Sequence, residues 1–407
     1  MFRLIARIAW ASLNRRRTRS VLVVLMIAFS LWGLLFMEGI YDGMTEQMIG
    51  NAIRSGSGHL TLAARGYRLE KDINMLIGDV AALDRFLARD PRVQTFIKRL
   101  RQDGLIATAH YSRGASIYGV DLEAEKAYGR LDEYLEAGEY DFGRKKRGAI
   151  LGTRLAEKLK VGVGRKVIIS AQDAENEIAS VALRVTGIIK TNNMALDETA
   201  VFVADQKARD LLRVPAGVSQ VCVMVKNEED ITGLQAELRQ RFSDLEILRW
   251  DEVYPALMQG RVMMEGFNLV TSLLVFGVAG LGIFGIMLVS VLERLREFGI
   301  MMAVGTGFDR ICHIILLESF FLGFAGCLAG GLLGGATLYY FYAHGLDLTV
   351  FSEGLDVFGM DAVTYAIIRP SYFINALFAV ALATFCSVLL PLRILKKAKP
   401  IEAICKG

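Results

Sequence analysis

Four runs of apolar residues constrain this chain more strongly than any other feature. A transmembrane helix needs roughly 20 predominantly apolar residues, because lipid offers no partner for a backbone N–H or C=O group. The runs that meet this length are Ser20 to Met37, Gly266 to Leu292, about Cys312 to Tyr342, and Pro370 to Leu392. The sequence therefore predicts an integral membrane protein with four transmembrane helices.

A long polar block, from Tyr41 to Glu265, separates the first run from the second. Its apolar residues alternate in some segments and recur at helical spacing in others. Strands are predicted at 59–62, 94–101, 105–118, 167–171, 178–189, 200–204, 220–225 and 246–250, helices at 77–89, 205–212 and 228–242, and a strand that leads into a helix at 150–159. The block is large enough to bury its own core. We expect an α+β domain of two subdomains, inserted between transmembrane helices 1 and 2.

Positive charge is concentrated at the two ends of the chain. The polar block is nearly neutral, with 32 Lys and Arg against 33 Asp and Glu. The basic residues of the ends are Arg3, Arg7, Arg15, Arg16, Arg17, Arg19, Arg393, Lys396, Lys397, Lys399 and Lys406. Because short basic flanks stay in the cytoplasm, both termini are predicted to be cytoplasmic and the polar block external. The block carries no basic stripe of the kind that binds nucleic acid, so no nucleic-acid partner is expected.

These patterns divide the chain into seven segments. They are an amphipathic helix and transmembrane helix 1 (1–40), the external domain (41–265), transmembrane helix 2 (266–292), a cytoplasmic connection (293–311), transmembrane helix 3 (312–343), a short external loop (344–369), and transmembrane helix 4 with a basic tail (370–407). The amphipathic helix is expected to lie on membrane lipid. Helical spacing beyond Met37 predicts that helix 1 projects from the membrane, and residues 251–265 are predicted to continue as a helix into the second span.

Motifs of catalysis and cofactor binding find no support in the sequence. Gly280, Gly282 and Gly285 match a dinucleotide fingerprint, but they lie inside an apolar run rather than at a strand–turn–helix junction. No Walker A motif occurs, the four histidines lie far apart, and no cysteine pair has zinc-ligand spacing. We therefore expect no catalytic, cofactor-binding or metal-binding residue and no enzymatic activity in this chain.

Two features inside the third span call for partners. Gly326, Gly330 and Gly334 recur every four residues, and small residues at this spacing allow two helices to approach closely. Their partner is either a second copy or a neighbouring helix of the same chain. Glu318 is an acid inside the span. It is either functional, or it reaches the headgroups or pairs with Arg310 or His313 near the cytoplasmic end of the span.

The connection between spans two and three carries its own apolar surface. Residues 293–304 predict a short helix ended by Gly305. Phe298, Met301 and Met302 are expected to form an apolar face, and methionine-rich faces adapt well to a partner. We favour a protein-docking helix over a buried turn.

Several motifs resemble those of one family. The segment Glu293-Arg-Leu-Arg-Glu-Phe-Gly-Ile-Met-Met-Ala-Val-Gly305 and the closing Leu390-Pro-Leu-Arg-Ile-Leu-Lys-Lys-Ala-Lys-Pro-Ile-Glu-Ala403 resemble FtsX-like ABC transporter permeases. The segments Gly58 to Leu62, Leu151 to Val161 and Val185 to Ile188 are similar to the lipoprotein-releasing, Lol-type branch, with a MacB-like periplasmic core domain. The resemblance covers nearly the whole chain.

The resemblance implies a bacterial inner-membrane permease that works by mechanotransmission. It implies a separate cytoplasmic ABC ATPase dimer, which holds the ATP and Mg, and a second permease copy or paralogue. The helix that would seat on the ATPase consists of Glu297, Phe298, Gly299, Ile300, Met301, Met302, Ala303, Val304 and Gly305. A lipoprotein's acyl chains would enter beside the candidate substrate-facing residues Phe36, Met37, Ile40, Met264 and Phe267.

The partner at the external side is left open by this resemblance. Relatives that recruit a periplasmic carrier use a proline-containing hook, whereas the turn Ala171 to Ile178 is short and lacks proline. The expected function is extraction of lipoproteins for sorting to the outer membrane. The alternative is peptide or drug efflux, or control of a periplasmic partner by mechanical movement.

Overall fold

The computed structural model describes residues 17–191, 193–351, 354, 360 and 362–397. The predicted amphipathic helix before Arg17 and the basic tail after Lys397 lie outside these residues. Two compact units divide the chain. Unit 1 comprises residues 1–45, 261–348 and 363–407, and unit 2 comprises residues 46–260 and 349–362.

Helices and strands follow one another in a fixed order. They are α1 Arg17–Ala52, a π-helical turn Ile53–Ser57, β1 Leu60–Ala64, α2 Tyr67–Glu70, α3 Val80–Arg89, β2 Val93–Ala107, β3 Ser112–Val120, α4 Leu122–Gly129, a 3-10 turn Leu131–Tyr134, β4 Leu135–Gly138, β5 Gly148–Gly152, α5 Thr153–Leu159, β6 Lys166–Gln172, β7 Ile178–Ile189, α6 Met194–Thr199, β8 Ala200–Ala204, α7 Asp205–Leu212, β9 Gln220–Val225, α8 Asp230–Arg241, β10 Leu245–Arg249, α9 Trp250–Val253, α10 Pro255–Glu293, α11 Leu295–Ala303, α12 Phe308–His344, β11 Leu346–Asp347, a 3-10 turn Thr349–Phe351, β12 Val363–Thr364 and α13 Pro370–Lys397.

Four of these helices, α1, α10, α12 and α13, are long and apolar enough to cross a membrane. Helix α1 has 36 residues and α10 has 39. At 1.5 Å per residue they are about 54 and 58 Å long, whereas the hydrocarbon core of a bilayer is about 30 Å thick. Both helices are therefore longer than the bilayer requires, and the prediction that helix 1 continues past its apolar run is confirmed.

Small residues bring α12 against α1 within unit 1. A Cβ atom on Gly330 would lie 2.7 Å from the carbonyl oxygen of Ala28, and one on Gly326 would lie 2.6 Å from Ile27. Gly334 packs in the same way on Leu35. In this chain, therefore, the three glycines of α12 contact α1, a neighbouring helix of the same chain.

Unit 2 is built on one mixed, mainly antiparallel sheet of ten strands. The strands lie in the order β10-β1-β9-β2-β3-β8-β5-β7-β4, and β6 pairs with both β2 and β7. The pairs β3–β8 and β5–β7 are parallel. One buried core lies on the β1, β9 and β10 side with α3 and α8, and another lies around β3, β5, β6, β7 and β8. The long strand β2 contributes to both cores, and the division into two subdomains stays a prediction.

Three predicted boundaries are wrong. Strands were predicted at 94–101 and 105–118, whereas β2 runs unbroken from Val93 to Ala107 and β3 begins only at Ser112. The chain does not turn at Gly104, because this glycine instead lets β2 approach the carbonyl oxygen of Ser170. Helix α3 begins at Val80 rather than Ile77, since Asp79 caps it. The helix predicted to run unbroken from Asp251 stops at Val253, and α10 begins at Pro255, a residue suited to the first helical position.

Candidate functional site

The connection between the second and third spans folds into a short helix, α11. The chain leaves helical geometry at Arg294, with φ −100° and ψ 7°, and resumes it at Leu295. Gly305, at φ 98°, ends the helix in a conformation that favours glycine. The N–H of Thr306 donates to the carbonyl oxygen of Met301 and closes the turn. The predicted helix therefore exists, and a backbone break at each end makes it a separate element.

The apolar face predicted for docking points the other way. The side chain of Phe298 is fully buried, and Met301 and Met302 pack against the same cluster as Ile311 and Ile315. Phe298 is therefore closed to a partner, whereas Met301 and Met302 keep part of their surface exposed, and docking through this helix stays a prediction. One side of this short amphipathic helix packs against the rest of unit 1, and its large apolar side chains lie on that side.

The opposite side of α11 is exposed and mostly apolar at its tip. Ile300 is 48% exposed and Val304 83% exposed. The other exposed residues of this side are Arg296, Glu297, Ala303 and Gly305. These positions recur at helical spacing, so they form one surface, which we call the α11 outer face. Of the predicted coupling residues, Glu297, Ile300, Ala303, Val304 and Gly305 lie on it, whereas Phe298 and Gly299 are buried.

A buried ion pair holds the start of α11. One guanidinium nitrogen of Arg294 donates to both carboxylate oxygens of Glu318, at 2.7 and 2.9 Å. Side-chain exposure is 10% for Arg294 and 6% for Glu318. Arg294 also donates to Glu297 at 3.3 Å and lies 4.8 Å from the ring centre of Phe298. Arg294 therefore connects the break between α10 and α11 to the first third of α12.

The predicted partners of Glu318 were wrong. The ring of His313 bonds instead to the carbonyl oxygen of Asp309, one turn back on its own helix. Sequence spacing along one helix suggested Arg310 and His313, but the folded chain supplies an arginine from another helix. Buried charges that lose such a partner are costly.

A second ion pair joins α1 and α10 at the same end of unit 1. The guanidinium of Arg19 donates to both oxygens of Glu293, at 2.8 and 3.0 Å. Both side chains keep substantial exposure, so this pair contributes little stability. It nevertheless lies beside Arg294, so α1, α10, α11 and α12 are all tied together at this end.

The candidate substrate-facing residues do not form one surface. Ile40 is buried, and Phe36 packs on Phe341 with ring centres 5.6 Å apart. Ile40 lies inside unit 1 and Phe36 keeps part of its surface exposed, so the role predicted for these two residues stays a prediction. Phe267 is exposed on α10, while Met37 and Met264 are partly buried. Exposed apolar residues that sequence reasoning missed lie beside Phe267 on α10, namely Val262, Met263, Leu269 and Val270.

In unit 2, the π-helical turn that ends α1 rests on a buried arginine. The guanidinium of Arg99 donates to the carbonyl oxygen of Gly56 at 2.5 Å and to that of Ser55 at 3.4 Å. It also forms a two-pronged pair with the carboxylate of Glu125, at 2.6 and 2.7 Å. A π-helical turn often marks a functional position in a helix. Here the last carbonyl groups of the long helix are bound directly by the domain.

The surroundings of Arg99 exclude water. Burial alone would lower the pKa of its guanidinium, but the Glu125 carboxylate outweighs burial and raises the pKa well above its ordinary value. Burial raises the pKa of the Cys222 thiol and, still further, that of the Tyr128 hydroxyl. A Cβ atom on Gly56 would lie 2.2 Å from the Tyr254 hydroxyl oxygen. This cluster is thus neutral apart from one ion pair, and it is closely packed around the turn.

The hairpin that would carry a carrier hook is short and tied down. The carboxylate of Asp173 accepts from the N–H groups of Glu175 and Glu177, and Arg213 pairs with Asp173 and Glu175. Such bonds hold a turn in one conformation. Across the part of the chain that the structure describes, no three His, Cys, Asp or Glu residues are grouped to hold a metal ion.

Comparison with known families matches nearly all of this architecture. A family model described as MacB-like periplasmic core domain matches residues 20–241, and one described as FtsX-like permease C-terminal matches residues 269–400. The second match contains α11 and the Arg294–Glu318 pair.

Individual relatives are distant. The chain is 24% identical over 358 residues to the uncharacterized ABC transporter permease YvrN of Bacillus subtilis, covering 81% of this chain and 85% of that protein. It is 22% identical to the macrolide export ATP-binding/permease protein MacB of Escherichia coli, over 82% of this chain and 51% of that protein. It is 23% identical to the lipoprotein-releasing system transmembrane protein LolC of Neisseria meningitidis, over 56% of this chain and 57% of that protein. The chain thus spans little more than half the length of the last two relatives.

Proposed function

This chain belongs to the FtsX-like permeases that carry a MacB-like periplasmic core domain, and from that premise we propose that it is the non-catalytic, force-transmitting subunit of an ABC transporter. Members of this family work with a cytoplasmic ABC ATPase. The family and the four apolar helices fit an inner-membrane location. In the proposed arrangement the ATP and Mg reside on the ATPase, which joins α11 in the cytoplasm.

The α11 outer face is the observation that carries this proposal. Ile300 and Val304 present apolar surface next to Arg296 and Glu297. Apolar anchors with a charged rim are typical of protein interfaces. Below this face, Phe298 and the Arg294–Glu318 pair join α11 to α12. A displacement of α11 by the ATPase would therefore also displace the helices that pack against it.

The force would travel outward through α1 and α10, the helices that precede and follow the domain formed by unit 2. Both termini are proposed to be cytoplasmic and unit 2 periplasmic, in keeping with the basic flanks. Helix α1 is continuous from Arg17 to Ala52, and Arg99 binds the turn that follows it. A movement at the ATPase end would thereby reach the periplasmic domain without passing through a flexible linker. Two permease copies, or this chain and a paralogue, would flank one ATPase dimer.

We propose lipoproteins of the inner membrane as the substrate. The exposed apolar strip of α10, with Phe267 and Val270 at its centre, would receive the acyl chains laterally from lipid. A relative named as a lipoprotein-releasing protein supports this choice. The Asp173 turn lacks the proline of a carrier hook, so a periplasmic carrier would have to dock elsewhere.

Efflux of peptides or drugs is the second candidate function. The relative named for macrolide export matches 82% of this chain, whereas the lipoprotein-releasing relative matches 56%. A photoreactive amino acid at Phe267 separates the two. Adducts carrying lipid-modified protein are expected for lipoprotein release, and the same probe at Phe378, exposed on another helix, serves as the control. Equal labelling at both positions would count against a lipoprotein site on α10.

Docking of the ATPase is tested with a matched pair of valines. Val304→Asp on the outer face is expected to reduce stimulation of the co-purified ATPase by at least about tenfold, because the variant places a charge in an apolar contact. Val350→Asp, at a residue that is 90% exposed in another loop, should leave stimulation unchanged. Both variants should insert into the membrane like the parent chain. Normal stimulation in Val304→Asp would refute docking through this face.

A further inference from the structure

A cavity of about 520 Å³ opens on unit 2 beside the ends of α3 and α8. Its lining residues are Ala82, Arg85, Phe86, Arg89, Asp90, Arg241 and Phe242. Arg89 is the last residue of α3, and Arg241 is the last residue of α8. Pockets that bind ligands commonly measure about 300–1,000 Å³. This pocket, which we call the arginine cavity, is therefore large enough for a short peptide segment.

One face of α3 forms a wall of the arginine cavity. Ala82, Arg85, Phe86 and Arg89 lie three or four residues apart, so their side chains share one side of the helix. The buried leucines of α3 belong to the core of the domain instead. The rings of Phe86 and Phe242 meet edge to face, with their centres 6.0 Å apart. The cavity thus combines aromatic surface with guanidinium groups.

Three of the residues that line the cavity are cations. Among the residues that the structure describes, no carboxylate pairs with Arg85, Arg89 or Arg241. Arg85 donates to the carbonyl oxygen of Ala81 at 3.2 Å, and Arg241 lies 5.2 Å from the ring centre of Phe86. The helix dipole favours cations in the last turn of a helix, which applies to Arg89 and Arg241 but not to Arg85. Three like charges therefore surround one cavity without a counter-charge from the described part of the chain.

The acids near the cavity do not offset these charges. Asp90, the one acid in the lining, accepts hydrogen bonds from the guanidinium of Arg92 at 2.5 and 2.9 Å. Arg92 also pairs with Glu237, which lies one turn before Arg241 on α8. Asp244 is exposed three residues beyond Arg241 and does not line the cavity. The cavity and its rim therefore keep an excess of positive charge.

We propose that the arginine cavity binds an acidic segment of a partner protein. The three arginines would hold carboxylates of the segment, and an apolar side chain between these carboxylates would pack on Phe86 and Phe242. Guanidinium groups bind carboxylates through paired hydrogen bonds, and they are more weakly hydrated than ammonium groups. An inorganic anion would leave the two rings uncovered, whereas such a segment meets both features. The site lies in unit 2 and requires neither the ATPase nor lipid, so it is independent of the proposed function.

Fluorescence anisotropy with the full-length chain in detergent tests the charge of the ligand. The probes are the labelled peptide Asp-Glu-Leu-Glu-Asp and its neutral counterpart Asn-Gln-Leu-Gln-Asn. The acidic peptide is expected to bind at least about tenfold more tightly, because hydrogen bonds between charged groups are stronger than neutral ones. This advantage should shrink as salt is added. Equal affinity of the two peptides would overturn the proposal.

A third peptide tests the aromatic part of the cavity. Asp-Glu-Gly-Glu-Asp should bind about tenfold more weakly than the leucine peptide, because it offers no side chain to cover the two rings. Equal binding of the leucine and glycine peptides would reduce the cavity to a simple anion site and overturn the proposal. Displacement of the leucine peptide by an equal concentration of inorganic sulfate would overturn it in the same way.

A pair of double variants places the binding in this cavity. Arg89→Gln with Arg241→Gln should weaken binding of the acidic peptide by at least about tenfold. Arg113→Gln with Arg165→Gln is the matched control, because it removes the same charge at two exposed positions outside the cavity. All four arginines are exposed, so both variants should keep the fold. Unchanged binding in the first variant, or an equal loss in both, would overturn the proposal.

Discussion

Two buried arginine–glutamate pairs hold the ends of helices in this protein, one in each unit. In unit 2, Arg99 pairs with Glu125 and also binds two backbone carbonyl groups, and both side chains are almost fully enclosed. In unit 1, Arg294 pairs with Glu318 but keeps 10% exposure and a second, more exposed partner in Glu297. The two pairs use the same chemistry in different settings.

The difference separates an anchor from a joint. Arg99 has no route to water, so the π-helical turn that it binds stays attached unless the local core opens. Arg294 lies at a backbone break beside the exposed α11 outer face, and Glu297 remains available if Glu318 moves away. The first arrangement resists displacement of the helix end. The second permits a small rotation of α11 while its charge stays paired.

Removing the acid of the anchor is expected to have the largest effect. Glu125→Gln leaves the guanidinium of Arg99 buried without its counter-ion and should lower the free energy of unfolding of unit 2 by about 3–5 kcal/mol. Pulse proteolysis of the full chain during a urea titration measures it. Glu123→Gln, at an exposed position of the same helix, is the control. A loss as small as the control's would mean that the pair is not an anchor.

Packing rather than charge should account for the next effect. Gly330→Val places a side chain against the backbone of Ala28, which cannot move aside, and is expected to cost about 3 kcal/mol. Gly331→Val is the control, since nothing lies within 4 Å of a Cβ at that neighbouring position. Thermal unfolding in detergent compares the two variants. Similar melting temperatures would show that α1 and α12 are not held together at Gly330.

Removing the acid of the Arg294–Glu318 pair should lower the free energy of unfolding less than removing Glu125 does, but it should reduce ATPase stimulation more. Glu318→Gln leaves Arg294 its contact with Glu297, so about 1–3 kcal/mol is expected. Stimulation of the ATPase should nevertheless fall severalfold, while Asp309→Asn at an exposed position on α12 should leave it unchanged. ATP hydrolysis by the co-purified complex is the measurement. Full stimulation in Glu318→Gln would make the pair purely structural.

The smallest expected effect is a pH dependence in unit 2. Hydrogen bonds from Arg92 hold the pKa of the Asp90 carboxyl below its ordinary value. A lowered folded-state pKa stabilises the fold above pH of about 4 and loses that contribution as pH falls through the lowered value. Asp90→Asn should remove this contribution, so the free energy of unfolding should fall less steeply in acid, by a total of less than about 1 kcal/mol. A slope identical to that of the parent chain would show that Asp90 does not contribute.

Much of the fold follows from local patterns. Hydrophobic length located all four membrane helices, and alternation located β6, β7, β8 and β9 to within a residue or two. Short elements with few apolar residues, such as α2, α4 and β4, were missed because they bury little surface of their own. Gly104 caused β2 to be predicted as two strands, since the sequence alone does not distinguish a glycine that permits close approach of two strands from one that forms a turn.

The position of α11 was determined by the sequence, and the direction in which it faces was decided by the tertiary structure. Gly305 marks its C-terminal end by local chemistry, so its existence was predictable, whereas the backbone break at Arg294 was found only in the structure. Phe298, Met301 and Met302 form an apolar stripe in any case, but only packing against α12 shows that the stripe is internal. The partner of Glu318 was likewise unpredictable, because Arg294 comes near it only when two separate helices have folded together. Sequence spacing reports neighbours along one helix, whereas buried charges are paired by whatever the folded chain brings within reach.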